Sequence, residues 1–355
     1  MKKPARWEVA LMIVAFVVMM AALGWRRSQA ERDELHHREA MERIEDARLG
    51  VAAAVPVAKW LNAHLDSHNL AVLDFISGDT KVQKNSALLL EQDWQPLDAA
   101  RLVEALACSD SAEVRERLIA LLSRQTGQKF ADNLNDWESW IKQQKIVPSK
   151  ADAASYLAFK ALLYHRLDPR LVHHFAIGKL SSVVPHEIYW AGPKYFSAPL
   201  RHPQLLSVAQ ASYLAPNDSV FGIVDKNGVA IALPLRIVHW HNVVEIELSG
   251  ALVTAVYDEQ TKTMLAFENG GSGTSRRFFN SAFLFDGEHL VADEQTHSLW
   301  SARSGKPIVC EQTLQGVQLK ALPVVAATWA AWVKEHPTTK VLPVETGFDR
   351  DYRSR

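Results

Sequence analysis

The spacing of apolar residues changes once along this chain, and that change limits its possible folds more than any other feature. From about residue 51 to residue 144, apolar residues recur three and four positions apart, as on one face of an α-helix. Beyond Pro185, alternating and β-branched runs replace that spacing, for example in residues 220–224 and 243–248. We therefore expect an α+β protein with an α-helical region first and a β-rich α+β domain second.

A break at Pro148 and Ser149 divides the chain into residues 31–150, the helical region, and residues 151–355, the β-rich domain. Within the helical region, Ser109-Asp110-Ser111 is a short polar turn that ends one helix and caps the next. Residues 109–122 resemble the second half of a HEAT-type repeat, so we expect this HEAT-like region to present a face to a protein partner. Trp137 and Trp140 share one helix face, and we predict that they pack in the core.

The N-terminus carries an apolar run at residues 9–25 with basic residues on both sides. About 17 apolar residues is close to the minimum for a transmembrane helix. Ser28-Gln29-Ala30 would suit signal-peptide cleavage, but Arg26 and Arg27 precede it, so residues 1–30 favour an uncleaved signal anchor. The basic residues are slightly biased towards the N-terminal side. We expect a single-pass protein of the inner membrane with its C-terminal bulk outside the cytoplasm.

The charge and cysteine content exclude some functions. The formal net charge is −1, which argues against a nucleic-acid partner. Cys108 and Cys310 are the only cysteines, and they are far apart in sequence. A disulfide framework or a structural zinc site needs more cysteines at closer spacing. We therefore predict two isolated thiols.

Two turn signals predict β-hairpins in the β-rich domain. Asn227-Gly228 follows the apolar run at residues 220–224, and Asn-Gly is favoured where both turn residues need positive φ. Asp286-Gly287 is a second signal of this kind. We expect an antiparallel pair of strands around each of them.

Three segments of the β-rich domain carry side chains that are suited to chemistry. They are the run Leu233-Pro234-Leu235-Arg236-Ile237-Val238-His239-Trp240-His241, residues 256–261, and residues 293–300. The candidate pocket that we predict from them consists of Arg236, His239, His241, Tyr257, Asp258, Asp293 and Trp300.

These segments resemble a bacterial family without an established activity, domain of unknown function 3179. The resemblance runs from about Ala151 to Pro343. Family members usually have two cysteines just after the tyrosine, where this chain has Asp258 and Thr261. The match is carried by Pro234-Leu235-Arg236, Trp240-His241, Tyr257, residues 293–300, Gly305, Trp329, Trp332, His336 and Pro337. Two thiols beside a histidine would suit a soft metal or redox chemistry. Because this chain lacks these thiols, the resemblance implies a cysteine-less, degenerate member.

Several candidate residues also have a purely structural interpretation. Arg236 would serve equally as the partner of a buried carboxylate such as Glu245 or Asp293. His239 and His241 would share one face if their segment were a strand, and such a pair can ligate a metal, but no third ligand is evident. Trp300 is most simply a core residue.

The stretch of residues 268–274 is rich in glycine and precedes Arg276 and Arg277. Successive backbone N–H groups in such a stretch can cradle an anion. However, the stretch lacks the Walker lysine spacing and the dinucleotide-binding fingerprint. We therefore interpret it as a flexible loop.

Our hypothesis from the sequence is a membrane-anchored envelope protein that is not an enzyme and that acts as a binding or scaffold protein, with its cofactor unknown. The alternative is a metal-dependent or redox enzyme with a site around His241 and Asp258. In both cases we expect Arg236, His241, Tyr257 and Asp258 to converge, because an antiparallel return through Ser249 and Gly250 brings Tyr257 back towards His241.

Overall fold

Helices precede strands in the computed structural model, which describes residues 57, 59–76, 80–192, 197–269 and 276–352. After a helical segment at residues 59–64, the α-helices before the first strand are α1 (Ser67–Phe75), α2 (Thr80–Gln92), α3 (Pro96–Ala107), α4 (Ala112–Thr126), α5 (Leu134–Gln144) and α6 (Lys150–His165). This order agrees with the change in apolar spacing along the sequence.

Short polar side chains fix where these helices begin. The side chains of Asp66, Ser111, Asn133 and Ser149 each accept a hydrogen bond from the backbone N–H three residues further on. Gly127 ends α4 in a left-handed conformation with φ of 74°. The predicted turn and cap between α3 and α4 are therefore confirmed, whereas the likeness to a HEAT repeat stays a prediction.

The helices share one apolar core. Trp137 of α5 is fully buried in it, and Trp140 packs against it, which confirms that these two residues are packing residues. Tyr156 and Phe159 of α6 belong to the same core. Although the sequence places α6 at the start of the β-rich domain, Tyr164 of this helix also packs edge-on against Phe283, a residue of a later strand. Residues Trp60–Arg355 form one compact unit.

The strands of the second part are short and mostly antiparallel. They are β1 (Lys179–Ser181), β2 (Ile188–Trp190), β3 (Leu200–Arg201), β4 (Leu206–Ser207), β5 (Ser219–Val224), β6 (Ala230–Pro234), β7 (Val243–Leu248), β8 (Ala251–Asp258), β9 (Thr263–Glu268), β10 (Phe278–Phe285), β11 (Glu288–Asp293), β12 (Leu299–Ser301), β13 (Lys306–Glu311), β14 (Lys320–Leu322), β15 (Val324–Thr328) and β16 (Lys340–Val341). Helix α7 (Leu235–His241) lies between β6 and β7, and α8 (Trp329–Glu335) follows β15.

The strands form three sheets. Their orders are β1-β13-β12-β11-β10-β2, β14-β9-β8-β7-β3 and β15-β5-β6-β16-β4. Both predicted hairpins are confirmed, since β5 pairs with β6 and β10 pairs with β11 in antiparallel register. At the second turn, Asp286 and Gly287 have φ of 47° and 74°. At the first turn, Gly228 has positive φ but Asn227 does not.

The expected fold class contained an N-terminal transmembrane helix, and this element is corrected. Among the described residues, no helix has the length and apolar character needed to cross a membrane. The longest of the helices named above, α6, has 16 residues, whereas a span needs about 20. The apolar run at residues 9–25 lies outside the described residues, as do residues 270–274 of the glycine-rich stretch. The fold is α+β, with helices first and a β-rich part second.

Candidate functional site

The predicted pocket residues lie on a helix and on strands of two different sheets. Tyr257 and Asp258 end β8, and the preceding α7 carries Arg236 and the two histidines. Asp293 and Trp300 lie on β11 and β12, which belong to the six-stranded sheet. The seven residues therefore belong to two groups of elements, and the contacts of each group are described in turn.

Arg236 pairs with a carboxylate, but not with either of the two that the sequence suggested. Its Nη2 atom donates to both carboxylate oxygens of Asp218 at 2.8 Å. The register of the β5–β6 hairpin explains this choice. Val220 of β5 lies opposite Pro234 of β6, so Asp218, just before β5, is close to Arg236, just after β6. Arg236 therefore ties the open end of this hairpin together.

His241 is buried, and both of its ring nitrogens are used. Nδ1 donates to the carbonyl oxygen of Ala198 at 2.8 Å, and Nε2 accepts from the hydroxyl of Tyr352 at 2.6 Å. The ring of Phe348 packs against the imidazole with the centroids 4.9 Å apart. Burial lowers the pKa of His241, because a charged imidazolium loses its hydration there. The C-terminal segment thus covers a neutral, fully bonded histidine.

His239 does not share a face with His241. Their segment is a helix and not a strand, so residues two positions apart point about 200° apart around the axis. His239 is half-buried, and its Nδ1 lies 3.2 Å from the carboxylate of Glu259. Its ring is 6.2 Å from that of Tyr257, which is otherwise packed against Phe221. The shared face required for a His-x-His metal site is therefore absent.

Asp258 and Thr261 belong to one tight turn between β8 and β9. The Asp258 carboxylate accepts hydrogen bonds from the backbone N–H groups of Gln260 at 2.8 Å and of Thr261 at 3.5 Å. Thr261 also bonds the hydroxyl of Thr263 at 2.7 Å. The Asp258 side chain thus satisfies backbone N–H groups of its own turn, as Asp commonly does.

Asp293 organises the polar segment between β11 and β12. Its carboxylate accepts from the indole N–H of Trp300 at 2.8 Å and from the backbone N–H of Thr296 at 2.7 Å. Arg276 approaches it at 3.4 Å. Trp300 is fully buried, which confirms that it is a core residue. The motif at residues 293–300 is therefore a tightly bonded turn that positions a core tryptophan.

A buried ion pair within one sheet makes hydrogen bonds to a second sheet, and its partners were not predicted. Glu245 of β7 is fully buried and pairs with Arg201 of β3. Its other oxygen accepts the backbone N–H of Phe278 of β10 at 2.9 Å. Arg201 continues to Glu294, beyond the end of β11. The arrangement holds the β7 and β10 sheets together.

The structure also gives a cleft that was not predicted. It measures about 560 Å³ and lies beside β1 and β13. Its apolar side chains include Leu180, Val183, Phe285, Ile308 and Val317, and its polar ones include Asp286, Glu288, Ser301, Arg303, Ser304 and Lys306. These residues come from four separate stretches of the chain, so no local motif could have indicated them.

The charged groups of this cleft centre on Glu288. Burial raises the pKa of this carboxyl, while the hydroxyl of Ser301 and the guanidinium of Arg303 act in the opposite direction. The Glu288 carboxylate accepts the backbone N–H of Arg303 at 3.2 Å and lies 3.5 Å from its Nε atom. Asp286, at the rim, pairs with Lys142 of α5 at 3.1 Å. A buried carboxyl with a shifted pKa in a cleft is a common mark of a binding site.

Both cysteines are free thiols, as predicted. Burial raises the pKa of Cys108 well above its ordinary value, and it also raises the pKa of Cys310. Among the described residues, no group of three or more histidine, cysteine, aspartate or glutamate side chains is placed to hold a metal ion.

No curated protein and no solved structure matches the chain. One family model does match, over residues 199–355, so the matched region begins later and ends later than the motifs suggested. The matched region contains α7, the Asp258 turn and the Asp293–Trp300 segment, which carry the resemblance in the sequence. Over these residues, the chain is similar to the family described as "Protein of unknown function (DUF3179)".

Proposed function

We propose that this is a non-enzymatic binding protein and that the cleft beside β1 and β13 takes a small amphipathic ligand. The observation that carries the proposal is the cleft itself. Its volume of about 560 Å³ falls within the range of ligand pockets, roughly 300 to 1,000 Å³.

The lining of the cleft supports a ligand that is apolar at one end and polar at the other. Leu180 is 42% exposed although it is a large apolar residue, and it belongs to one wall. Glu288 and Arg303 supply hydrogen-bonding groups that are already held in place by each other. Pre-arranged polar groups among apolar walls give orientation and specificity at a low entropic cost.

The region around His241 and Asp258 supports the proposal that the protein is not an enzyme. His241 has both ring nitrogens engaged, and Asp258 bonds its own turn. A metal-dependent or redox enzyme built around these two residues would need their lone pairs for a ligand or substrate. We therefore favour a cysteine-less variant of the family fold, in which side chains close this region.

A second part of the proposal concerns the helices. We propose that α3 and α4 form a HEAT-like pair, supported by the four-residue connection between them and by their shared core. In this view, the helical part supports the β-rich part.

The cleft can be tested with the amphipathic dye 1-anilinonaphthalene-8-sulfonate and purified full-length protein. We expect saturable binding to the native protein. Val183→Trp should fill part of the cleft and weaken binding about tenfold or more, which corresponds to about 1.4 kcal/mol. Val147→Trp is the matched control, because Val147 is exposed and lies outside the cleft.

Equal dye affinity in the Val183→Trp variant and the native protein would count against this site. Thermal melting of both variants shows whether each remains folded, so that loss of binding by unfolding is recognised.

A further inference from the structure

A second, narrow cleft lies between α3, α5 and the segment at residues 185–190. Its walls are Ala100, Val103, Glu104, Ala107, Glu138, Ile141, His186, Tyr189 and Trp190. The space that the centre of a water molecule can reach inside it is about 10 Å³. This is room for about one water. This space is too small for a metabolite. We therefore consider the binding and release of protons by the side chains that line it.

Next to this cleft lies a fully buried ion pair. Lys160 of α6 is 0% exposed and donates to the carboxylate of Glu104 and to the carbonyl oxygen of Ile188, the latter at 2.6 Å. The hydroxyls of Tyr156 and Tyr164 also donate to Glu104. The Lys160 ammonium lies 5.4 to 5.6 Å from the centroids of the surrounding aromatic rings. The Glu104 carboxylate thus already takes up the positive charge of Lys160.

Glu138 of α5 faces the same cleft as a second carboxyl. Within the part of the chain that the structure describes, no ion pair joins it to a basic side chain. Burial and the neighbouring Glu104 raise the pKa of Glu138 to about 7, and Lys160 only partly opposes them. Glu104 and Glu138 therefore compete for the positive charge of Lys160, and Glu138 holds a proton near neutral pH.

The opposite wall cannot supply the missing positive charge. His186 is only 4% exposed, and its Nδ1 atom makes no hydrogen bond within the described residues. Burial and the charges of Lys160 and Arg101 lower the pKa of His186 to about 4, so its imidazole is neutral at pH 7. The buried hydroxyl of Tyr189 likewise makes no hydrogen bond within these residues.

Burial also shifts the pKa values of the other titratable neighbours; it lowers that of Lys160, which the Glu104 carboxylate opposes. Burial raises the pKa of Tyr189, with the charges of Glu138 and Glu187 adding to it. The pKa values of Tyr156, Tyr164 and Cys108 are also raised by burial. Glu138 is therefore the group of this cleft whose charge changes between mildly acidic and mildly basic pH.

We propose that Glu138 is a proton-operated latch, which holds α5 against residues 185–190 when it is protonated and loosens this contact when it is ionised. Ionisation places a second negative charge in this narrow cleft beside Glu104, where the Glu138 side chain is half-buried. That charge is better hydrated when α5 moves outward and exposes the carboxylate further. Lys142, one turn further along α5, keeps its exposed ion pair with Asp286, so α5 stays attached at that end.

Hydrogen–deuterium exchange of the full-length protein tests the latch. Exchange is measured between pH 5.5 and 8.5 and corrected for the intrinsic pH dependence of amide exchange. We expect protection of residues 134–144 to fall about tenfold or more as the pH rises through about 7. Glu138→Gln should stay as protected at pH 8.5 as at pH 5.5.

Glu116→Gln is the matched control, since Glu116 is exposed on α4, and this variant should follow the native profile. Protection of residues 134–144 that is constant with pH in the native protein would overturn the proposal. The same fall in the Glu138→Gln variant would overturn it as well. If the Glu138→Gln variant does not fold, the pH dependence of exchange in the native protein alone decides whether the proposal holds.

Discussion

At the scale of single residues, the buried Lys160 is the side chain whose replacement should matter most for stability. Lys160→Met leaves the Glu104 carboxylate without its cation in a closed environment. We expect a loss of about 3 to 5 kcal/mol in the free energy of unfolding, measured with urea. The double variant Lys160→Met with Glu104→Gln should lose less than the sum of the two single changes.

The matched control is Lys142→Met, because the Lys142–Asp286 pair is about 60% exposed on both sides. Such a pair contributes at most about 1 kcal/mol. Comparable losses from Lys142→Met and Lys160→Met would contradict the importance of the buried pair.

A second residue-scale prediction concerns His241. We expect His241→Ala to lower the free energy of unfolding by about 2 to 3 kcal/mol, because it removes buried contacts and the hydrogen-bond partner of the Tyr352 hydroxyl. His239→Ala removes a half-buried ring and should cost less than about 1 kcal/mol. If His241→Ala left stability unchanged, a structural role for this histidine would be wrong.

The sequence predicted individual residues well where size alone decides. Trp137 and Trp300 are large and apolar, so burial follows from the hydrophobic effect in almost any fold. The partner of Arg236 was predicted wrongly, because that choice depends on the register of two strands. The sequence around Glu288 does not indicate that this residue lines a cleft, since the cleft is formed by residues that are distant in sequence.

At the scale of helices and strands, local chemistry explains which predictions were correct. The cap at Ser111 and the turn at Asp286-Gly287 are specified by neighbouring residues, and both were predicted. Helix α7 was not, because its seven residues include β-branched and aromatic side chains that favour strands. Packing of Ile237 and Val238 into the core stabilises a helix there instead.

Strand β5 provides an element-scale prediction through Gly222. A Cβ atom at this position would lie 2.2 Å from the indole of Trp332 in α8, which packs across the strand. We therefore expect Gly222→Ala to lower the free energy of unfolding by about 1 to 3 kcal/mol, measured by urea unfolding. The double variant with Trp332→Leu should show less than the summed loss, since the clash is removed. Strict additivity would contradict the close approach.

At the scale of the whole molecule, buried titratable groups predict how stability varies with pH. Burial lowers the pKa of His174 to about 3 and that of His186 to about 4, from an ordinary value of 6.5. The unfolded chain therefore binds more protons below pH 6.5, and stability is lost as the pH falls. Glu138 acts in the opposite direction, because its raised pKa gives stability that is lost as the pH rises from 4.5 through about 7.

His241 acts in the same direction as these two imidazoles, and Glu288 acts in the same direction as Glu138. Three imidazoles outweigh two carboxyls, so stability should rise with pH and reach its maximum near neutrality. Each proton contributes a slope of at most about 1.4 kcal/mol per pH unit. His174→Phe should reduce the slope below pH 6 by nearly that amount, measured by urea unfolding at several pH values. His165→Phe, at an exposed position, should leave the slope unchanged. An unaltered slope in the His174→Phe variant would show that this histidine does not titrate as described.

The sequence predicted the order of helices and strands for the whole molecule, but not the division of the strands into three sheets. That division depends on pairings between distant segments, such as β16 lying parallel to β6. Residues 320–328 illustrate this point, because β14 and β15 are separated only by Pro323 and yet belong to different sheets. The cleft beside β1 and β13 is a product of the same long-range arrangement.

The two free thiols have a practical consequence for spectroscopy. Thiolates, and not thiols, react with maleimides, and the raised pKa values of Cys108 and Cys310 keep both sulfurs protonated at neutral pH. A cysteine introduced at Val147, where the native side chain is 82% exposed, would therefore be the reactive one. Fluorophores or spin labels can thus be attached to chosen surface positions while the native cysteines stay in place.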